Sequence, residues 1–171
     1  LYGFFVVGLL VPIHATLVPM FILMQKLGFL NTHLALIFPY VAFNLSITIF
    51  LLTSFMSSFP KEIEESAIMD GCGPFRIFWS IILPMSRPAI ATAVILNFIN
   101  NWNEFSFALV LINDKALSTL PLGLANFAGE YTTNYTAQMA GLTLVLIPTI
   151  LFYLVMEKQI VNGMTQGAVK G

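Results

Sequence analysis

Residues 34–55 read LALIFPYVAFNLSITIFLLTSF and contain no Asp, Glu, Lys or Arg. A helix crossing hydrocarbon needs about 20 mostly apolar residues, because every backbone N–H and C=O must be satisfied inside the segment once water is gone. This stretch meets the requirement. Working outward, residues 1–24 are also free of those four residue types and are set apart by the polar break Gln25-Lys26-Leu27-Gly28-Phe29-Leu30-Asn31-Thr32-His33. Residues 89–112 are apolar except for a polar cluster containing Glu104, and residues 137–156 are uncharged until Glu157-Lys158. The pattern predicts an all-α polytopic membrane protein with four transmembrane helices at about 1–24, 34–55, 89–112 and 137–156, each able to span with some tilt.

Composition excludes the alternatives. The chain is 58% apolar and 9% charged, against roughly 45–50% and ~25% in soluble domains. A net charge of −1 leaves no basic surface for nucleic acid. Cys72, the single cysteine, permits no internal disulfide and no Cys-based metal site. His14 and His33 have no carboxylate near them in sequence, so neither a metal site nor a Ser/His/Asp site is expected. The first stretch lacks the basic start and small-residue cleavage site of a signal peptide. With no initiator Met either, the chain is expected to be the C-terminal part of a longer protein, forming one transmembrane domain over 1–171.

Orientation follows from the positive residues. Lys61, Arg76, Arg87, Lys158 and Lys170 fall on one side, Lys26 and Lys115 on the other. The first side is then cytoplasmic and holds the segment 56–88 and the tail 157–171, leaving 113–136 as an external loop.

Charge concentrates in 56–88. Pro60 can open a helix, and Glu62, Glu64 and Glu65 suit the positive end of its dipole. Ile63, Ala67 and Asp70 repeat at helical spacing before Gly71-Cys72-Gly73-Pro74 breaks the run, and a second apolar run, 75–83, is expected to end at Pro84. Such a segment also suits a simple amphipathic lodger in the headgroups.

The order of residues says more. Glu65-Ser66-Ala67, three residues, Gly71, nine residues, Ile81, one residue and Leu83-Pro84 resembles the EAA signature of ATP-binding-cassette importer permeases, E-A-A-x3-G-x9-I-x-L-P. The spacing matches at every position, with Ser66 in place of the second Ala. Ile68-Met69-Asp70-Gly71, Trp102-Asn103-Glu104-Phe105 and Gly167-Ala168-Val169-Lys170-Gly171 resemble the carbohydrate-type, maltose-type (MalG-like) branch. The likeness covers essentially the whole chain. It implies the last four of six spans and a coupling helix seated on an ATPase subunit, with Glu65, Ser66, Ala67, Asp70, Gly71, Ile81, Leu83 and Pro84 as the docking residues. It further implies a sister permease subunit, two ATPase subunits and an extracytoplasmic solute-binding protein touching the external loop, which includes Leu120-Pro121-Leu122-Gly123. The setting that the resemblance implies is a bacterial inner membrane with lipid around the spans.

No phosphate loop of the form G-x-x-x-x-G-K-[ST] occurs, so no cofactor and no catalytic residue is expected here, and ATP must be hydrolysed by another polypeptide. Asn97, Asn100, Asn101 and Glu104 stand at i, i+3, i+4 and i+7, one face of a continuous helix. Interhelical hydrogen-bond glue and a polar translocation wall both account for such a face, and four groups favour the wall. Counting from Ala89, Glu104 lies roughly 22 Å along the span, past the midplane. Pro39, Asn44 and Thr48, and Pro148 and Thr149, are weaker versions of the pattern, Pro12 and Pro19 read as kinks, and Ala137 with Gly141 reads as a helix-packing pair. Asn amides and rings such as Trp102 and Phe105 suit sugar hydroxyls and sugar faces. The rival reading is an ion- or proton-coupled secondary transporter or channel with Glu104 as the carrier. It leaves the fixed-gap motif without a purpose.

Overall fold

A computed structural model describes residues 1–125, 127 and 135–168, with the side chains of 157–168 outside the description. All regular structure among the described residues is helical. In chain order the helices are α1 (Tyr2–Gly8), α2 (Leu17–Lys26), α3 (Leu34–Met56), α4 (Lys61–Met69), α5 (Pro74–Ile77), α6 (Leu83–Met85), α7 (Arg87–Trp102), α8 (Ser106–Leu111), α9 (Leu120–Ala125) and α10 (Tyr135–Ala168). The resemblance in Val169-Lys170-Gly171, and residues 126 and 128–134 of the loop expected to be external, lie outside the described residues.

Among the described residues, two single helices are long and apolar enough to cross a membrane, Leu34–Met56 and Tyr135–Met156. The other two apolar stretches are broken. Residues 1–24 were expected as one helix, but Tyr2–Gly8 and Ile13–Lys26 meet at 94°. Pro12 supplies no N–H and disfavours helical backbone at Val11, so α1 cannot run on. Pro19 lies within α2 and Pro39 and Pro148 within α3 and α10.

The stretch 89–112 is likewise two helices, α7 and α8, separated at 103–105. Asn100, Asn101 and Asn103 are weak helix formers. Asn103 closes α7 by donating from both its backbone N–H and its Nδ2 to Ile99 O, at 3.2 and 2.8 Å.

Pro84 does not end its helix as expected. A π-helical turn over Phe78–Ile82 precedes it, widening the backbone where the proline ring would meet the carbonyl four residues back. The chain continues to Met85 and turns by 66° into α7. Ser86, fully buried at the bend, returns its Oγ–H to Ile82 O at 2.7 Å, a side-chain bond that bends helices.

α3 packs along α7, α7 along α10, α1 across α3, and α2 against α8. At the α1–α3 crossing a Cβ on Gly8 would lie 2.5 Å from Ser46 Oγ, so any larger residue there would have to turn that hydroxyl aside. Gly141 plays a similar part for α9, its missing Cβ making room for Leu124. Two apolar clusters form. The outer one joins Met24, Ala35, Leu36, Phe107, Ala108, Leu111, Ile112 and Leu122, and the inner one joins Ala67, Ile77 and Ile82 with Met56, Phe59, Cys72 and Ile81. α10 leaves its apolar flank open, with Leu144 66% and Val155 67% exposed. Lipid or neighbouring helices suit such a surface.

Phe107 is 1% exposed in the outer cluster, so Phe107→Ala should destabilise the full-length protein by about 3–5 kcal/mol. Leu144→Ala should change stability by no more than about 0.5 kcal/mol. Thermal unfolding in detergent separates the two, and equal losses would show that the outer cluster is not the packed core.

Candidate functional site

Tyr40, Asn44 and Thr48 repeat every four residues along α3 and so share one face. α7 runs antiparallel beside them, and three side-chain hydrogen bonds tie α3 to it, two to α7 itself and one to Glu104 just beyond its end. Asn97 Nδ2 donates to Thr48 Oγ1 at 2.9 Å, Asn44 Nδ2 donates to Asn101 Oδ1 at 2.8 Å, and Tyr40 Oη–H donates to Glu104 Oε2 at 2.8 Å. The result is a polar ladder between two largely apolar helices.

The outermost rung differs from its expected geometry. Glu104 was placed on a continuous helical face, but α7 ends at Trp102 and Glu104 occupies the break. Its carboxylate turns toward the start of α8: Oε1 accepts from the Phe107 N–H at 2.7 Å and Oε2 from the Ala108 N–H at 3.3 Å. Free N–H groups at a helix start need acceptors, and a carboxylate also suits the positive end of the helix. Glu104 therefore does two jobs, capping α8 and tying it to α3.

A cavity of about 420 Å³ opens against this ladder, within the size range of small-molecule sites. Tyr40, Asn44, Asn100, Asn101 and Glu104 give it polar groups, and Pro39, Phe43 and Phe107 give it apolar ones. Asn100 lines the cavity, is exposed and takes no rung of the ladder. Asn97 lies deeper along α7, away from the cavity, and its buried Oδ1 has no partner among the described residues. Trp102 and Phe105, the rings expected to face solute, do not line it. Trp102 stacks on Phe98, which stacks on Phe152 of α10 at 3.8 Å between centroids. The cavity's aromatic rings are instead Tyr40, Phe43 and Phe107. Tyr40 was missed in the sequence, although its spacing to Asn44 and Thr48 carried the signal.

The second candidate region is the segment 56–88. Pro60 precedes α4, and Glu62 and Glu64 lie in its first turn. At the other end the Gly71 N–H donates to Ile68 O at 2.9 Å and the Cys72 N–H to Ala67 O at 3.0 Å. Gly71 has φ of +77°. These two bonds around a left-handed residue form the Schellman cap, and the accompanying apolar contact is present between Cys72 and buried Ala67. The signature's interval from Ala67 to Gly71 is therefore the interval of a helix cap.

Ile81 packs on the inner cluster beneath this turn, while Leu83 and Pro84 lead into the bend at Ser86. Glu65, Ser66 and Asp70 are exposed, as are Met69 at 87% and Phe75 at 82%. A Cβ on Gly71 would meet nothing within 4 Å.

Apolar broken helices around a polar cavity, with a capped surface helix between two spans, define a polytopic transport-type membrane domain. The chain belongs to the binding-protein-dependent transport system inner membrane component family, whose profile matches residues 1–166. It is 46% identical over its full length to the putative ABC transporter permease protein ORF2 of Caldicellulosiruptor sp. (strain Rt8B.4), covering 62% of that protein. It is 39% identical to the trehalose/maltose transport system permease protein MalG of Thermococcus litoralis, over 89% of this chain and 55% of that one. Among solved structures it is similar to a chain of a bacterial ABC transporter involved in the import of the acidic polysaccharide alginate. That match has a TM-score of 0.62 and 26% identity, and covers 82% of this chain and 55% of the other. The chain spans about three fifths of the length of the curated relatives it matches.

Tyr40→Phe removes one rung and should cost about 1 kcal/mol. Glu104→Ala also strips the cap from α8 and should cost about 2–4 kcal/mol. If the two act through one interaction, the double variant should be less destabilised than the sum of the single losses. Additive losses in detergent unfolding would show that Tyr40 and Glu104 do not stabilise each other.

Proposed function

We propose that the protein containing this chain is a permease subunit of an ATP-binding-cassette importer that moves a sugar or similar polyol-type solute across a bacterial inner membrane. ATP hydrolysis on partner subunits drives it. The observation that carries this reading is the α4–α5 turn: the first part of the signature, from Glu65 to Gly71, folds into a capped helix, and the turn after it leaves Met69 and Phe75 exposed between two spans. A rigid, small-residue turn of this kind suits close approach by an ATPase surface. The names of two similar proteins, a trehalose/maltose permease and an alginate importer, support a carbohydrate.

The excess of Lys and Arg supports a cytoplasmic position for this turn and an external position for residues 113–136. A sister permease, two ATPases and an extracytoplasmic binding protein complete the assembly under this reading. Asn100, with Asn44, Asn101 and Tyr40, supplies amide and hydroxyl groups for solute hydroxyls along the translocation path. Asn97 serves as helix glue, and Glu104 shapes the wall by holding the break. A proton-carrier role for Glu104 has little to support it, since Tyr40 and two backbone amides already occupy its oxygens.

Two experiments test the reading. A Cβ at Gly71 meets no atom of this chain but is strained at φ +77°, a local cost of about 1 kcal/mol that Asn and Asp bear best, so Gly71→Asn and Gly71→Asp should both insert and fold while ATP-driven uptake of labelled oligosaccharides falls in the first and is lost in the second; full uptake in Gly71→Asp would remove the docking role from the turn. Glu104→Gln keeps one acceptor oxygen and should lower uptake severalfold in proteoliposomes with ATP inside, with ATP dependence retained. Uptake driven by a pH gradient without ATP, and abolished by Glu104→Gln, would overturn the importer reading.

A further inference from the structure

Among the described residues, Asn97 is the ladder's one member with a buried atom left unpaired. Its Nδ2 donates to Thr48 Oγ1 at 2.9 Å, while its Oδ1 is buried without a partner. Turning the amide over would only move the shortfall to the other end, since Thr48 offers a single hydroxyl. A buried polar atom without a partner asks for an explanation, and the spacing of the ladder supplies one.

Tyr40, Asn44 and Thr48 recur every four residues on α3, and Asn97 and Asn101 stand four apart on α7. Because the two helices are antiparallel, moving α7 one turn toward α8, about 6 Å for four residues, brings Asn97 opposite Asn44 and Asn101 opposite Tyr40. Each pair in that register is chemically matched. The Asn44 Nδ2, released from Asn101, donates to Asn97 Oδ1; the Asn97 Nδ2, released from Thr48, donates to Asn44 Oδ1; and the Tyr40 Oη–H passes from Glu104 to Asn101 Oδ1. Glu104 keeps the N–H groups of Phe107 and Ala108, and the Thr48 hydroxyl turns to the carbonyl four residues back in its own helix, an acceptor that helical threonines commonly use.

α7 is also free to shift as a unit. It is interrupted at both ends, by the 66° bend that follows a π-helical turn and by the break at 103–105. It meets α10 through the stacked rings of Phe98 and Phe152, a contact that no hydrogen bond holds in register. Packed helices move between discrete arrangements of this kind, one-turn ratchets included. The step changes the cavity, because Leu96 stands four residues before Asn100 and takes its place at the wall. An amide open to solute hydroxyls gives way to an aliphatic side chain.

We infer that α7 has this second register against α3, that Asn97 is the positioning residue that makes it a stable stop, and that the step withdraws Asn100 from solute. The inference rests on the importer reading above, in which solute has to be held and then let go.

The test places cysteine pairs in the assembled, reconstituted transporter, with Cys72 and the partner subunits' cysteines replaced by serine, and measures disulfide formation under brief oxidation. Thr48→Cys with Asn97→Cys reports the present register. Asn44→Cys with Asn97→Cys, and separately Tyr40→Cys with Asn101→Cys, report the second. Arresting the ATPase subunits with ATP and vanadate should lower the first cross-link and raise both of the others about tenfold. The Tyr40–Asn101 pair leaves Asn97 in place, so it decides alone where Asn97→Cys fails to assemble. Adding Asn97→Ala to that pair should hold the rise to about twofold; an undiminished rise removes Asn97 from the role. Second-register cross-links that stay at their resting level on arrest overturn the second register, while ATP-driven uptake by the same cysteine-free transporter keeps the importer reading intact. A wild-type transporter without ATP-driven uptake overturns both.

Discussion

The carboxylate of Glu104 is the point on which the described bundle turns. A helix broken inside hydrocarbon exposes N–H groups that no water can satisfy, and each unsatisfied group costs several kcal/mol. The break between α7 and α8 is therefore tolerable because Glu104 accepts two of those groups. The same oxygens accept from Tyr40, so the local repair is also the outermost tie between α7 and α3. Without the break α8 could not fold back against α2, and the outer apolar cluster would lose Phe107, Ala108 and Leu111.

From that junction the polar ladder runs inward through Asn44–Asn101 to Asn97–Thr48. Interhelical hydrogen bonds of this kind contribute about 0.6 kcal/mol each on average, so the ladder fixes register more than it supplies stability. Register is what the cavity needs. Sliding α3 by one turn against α7 would carry Tyr40 and Asn44 past their partners and close the space beside Asn100. Most of the ladder's amide and hydroxyl groups face each other. The cavity takes what remains: the exposed Asn100 and the outer edges of Asn101, Asn44 and Tyr40.

The inner end obeys a different constraint. α4 is mostly exposed, with Ala67 as its one buried residue, and its position depends on the Schellman cap at Gly71 and on the cluster beneath it. The helix after the cap survives Pro84 by widening into a π-helical turn, then bends at buried Ser86 into α7. A continuous covalent and packed route thus joins the exposed turn at Gly71 to the ladder.

The sequence by itself determined the solvent of this protein, its helical class and the identity of its capped turn. Charge-free runs of about 20 residues leave no other structure possible in hydrocarbon, and the interval from Ala67 to Gly71 is a local backbone motif that needs no distant partner. Tertiary structure alone decided what the polar residues do. Asn97, Asn101 and Glu104 shared a helical face on paper, yet which group meets Thr48, Asn44 or Tyr40 depends on the register of segments 49 to 64 positions apart in the chain. Tyr40 read as apolar bulk until Glu104 stood opposite it. Asn31, an unremarked member of a polar break, found its hydrogen-bond partners only when Leu111 and Asp114 arrived more than 75 positions later. Local spacing encodes caps and spans because their bonds close within a few residues; pairing across helices is encoded by packing, and packing is settled by the whole bundle at once.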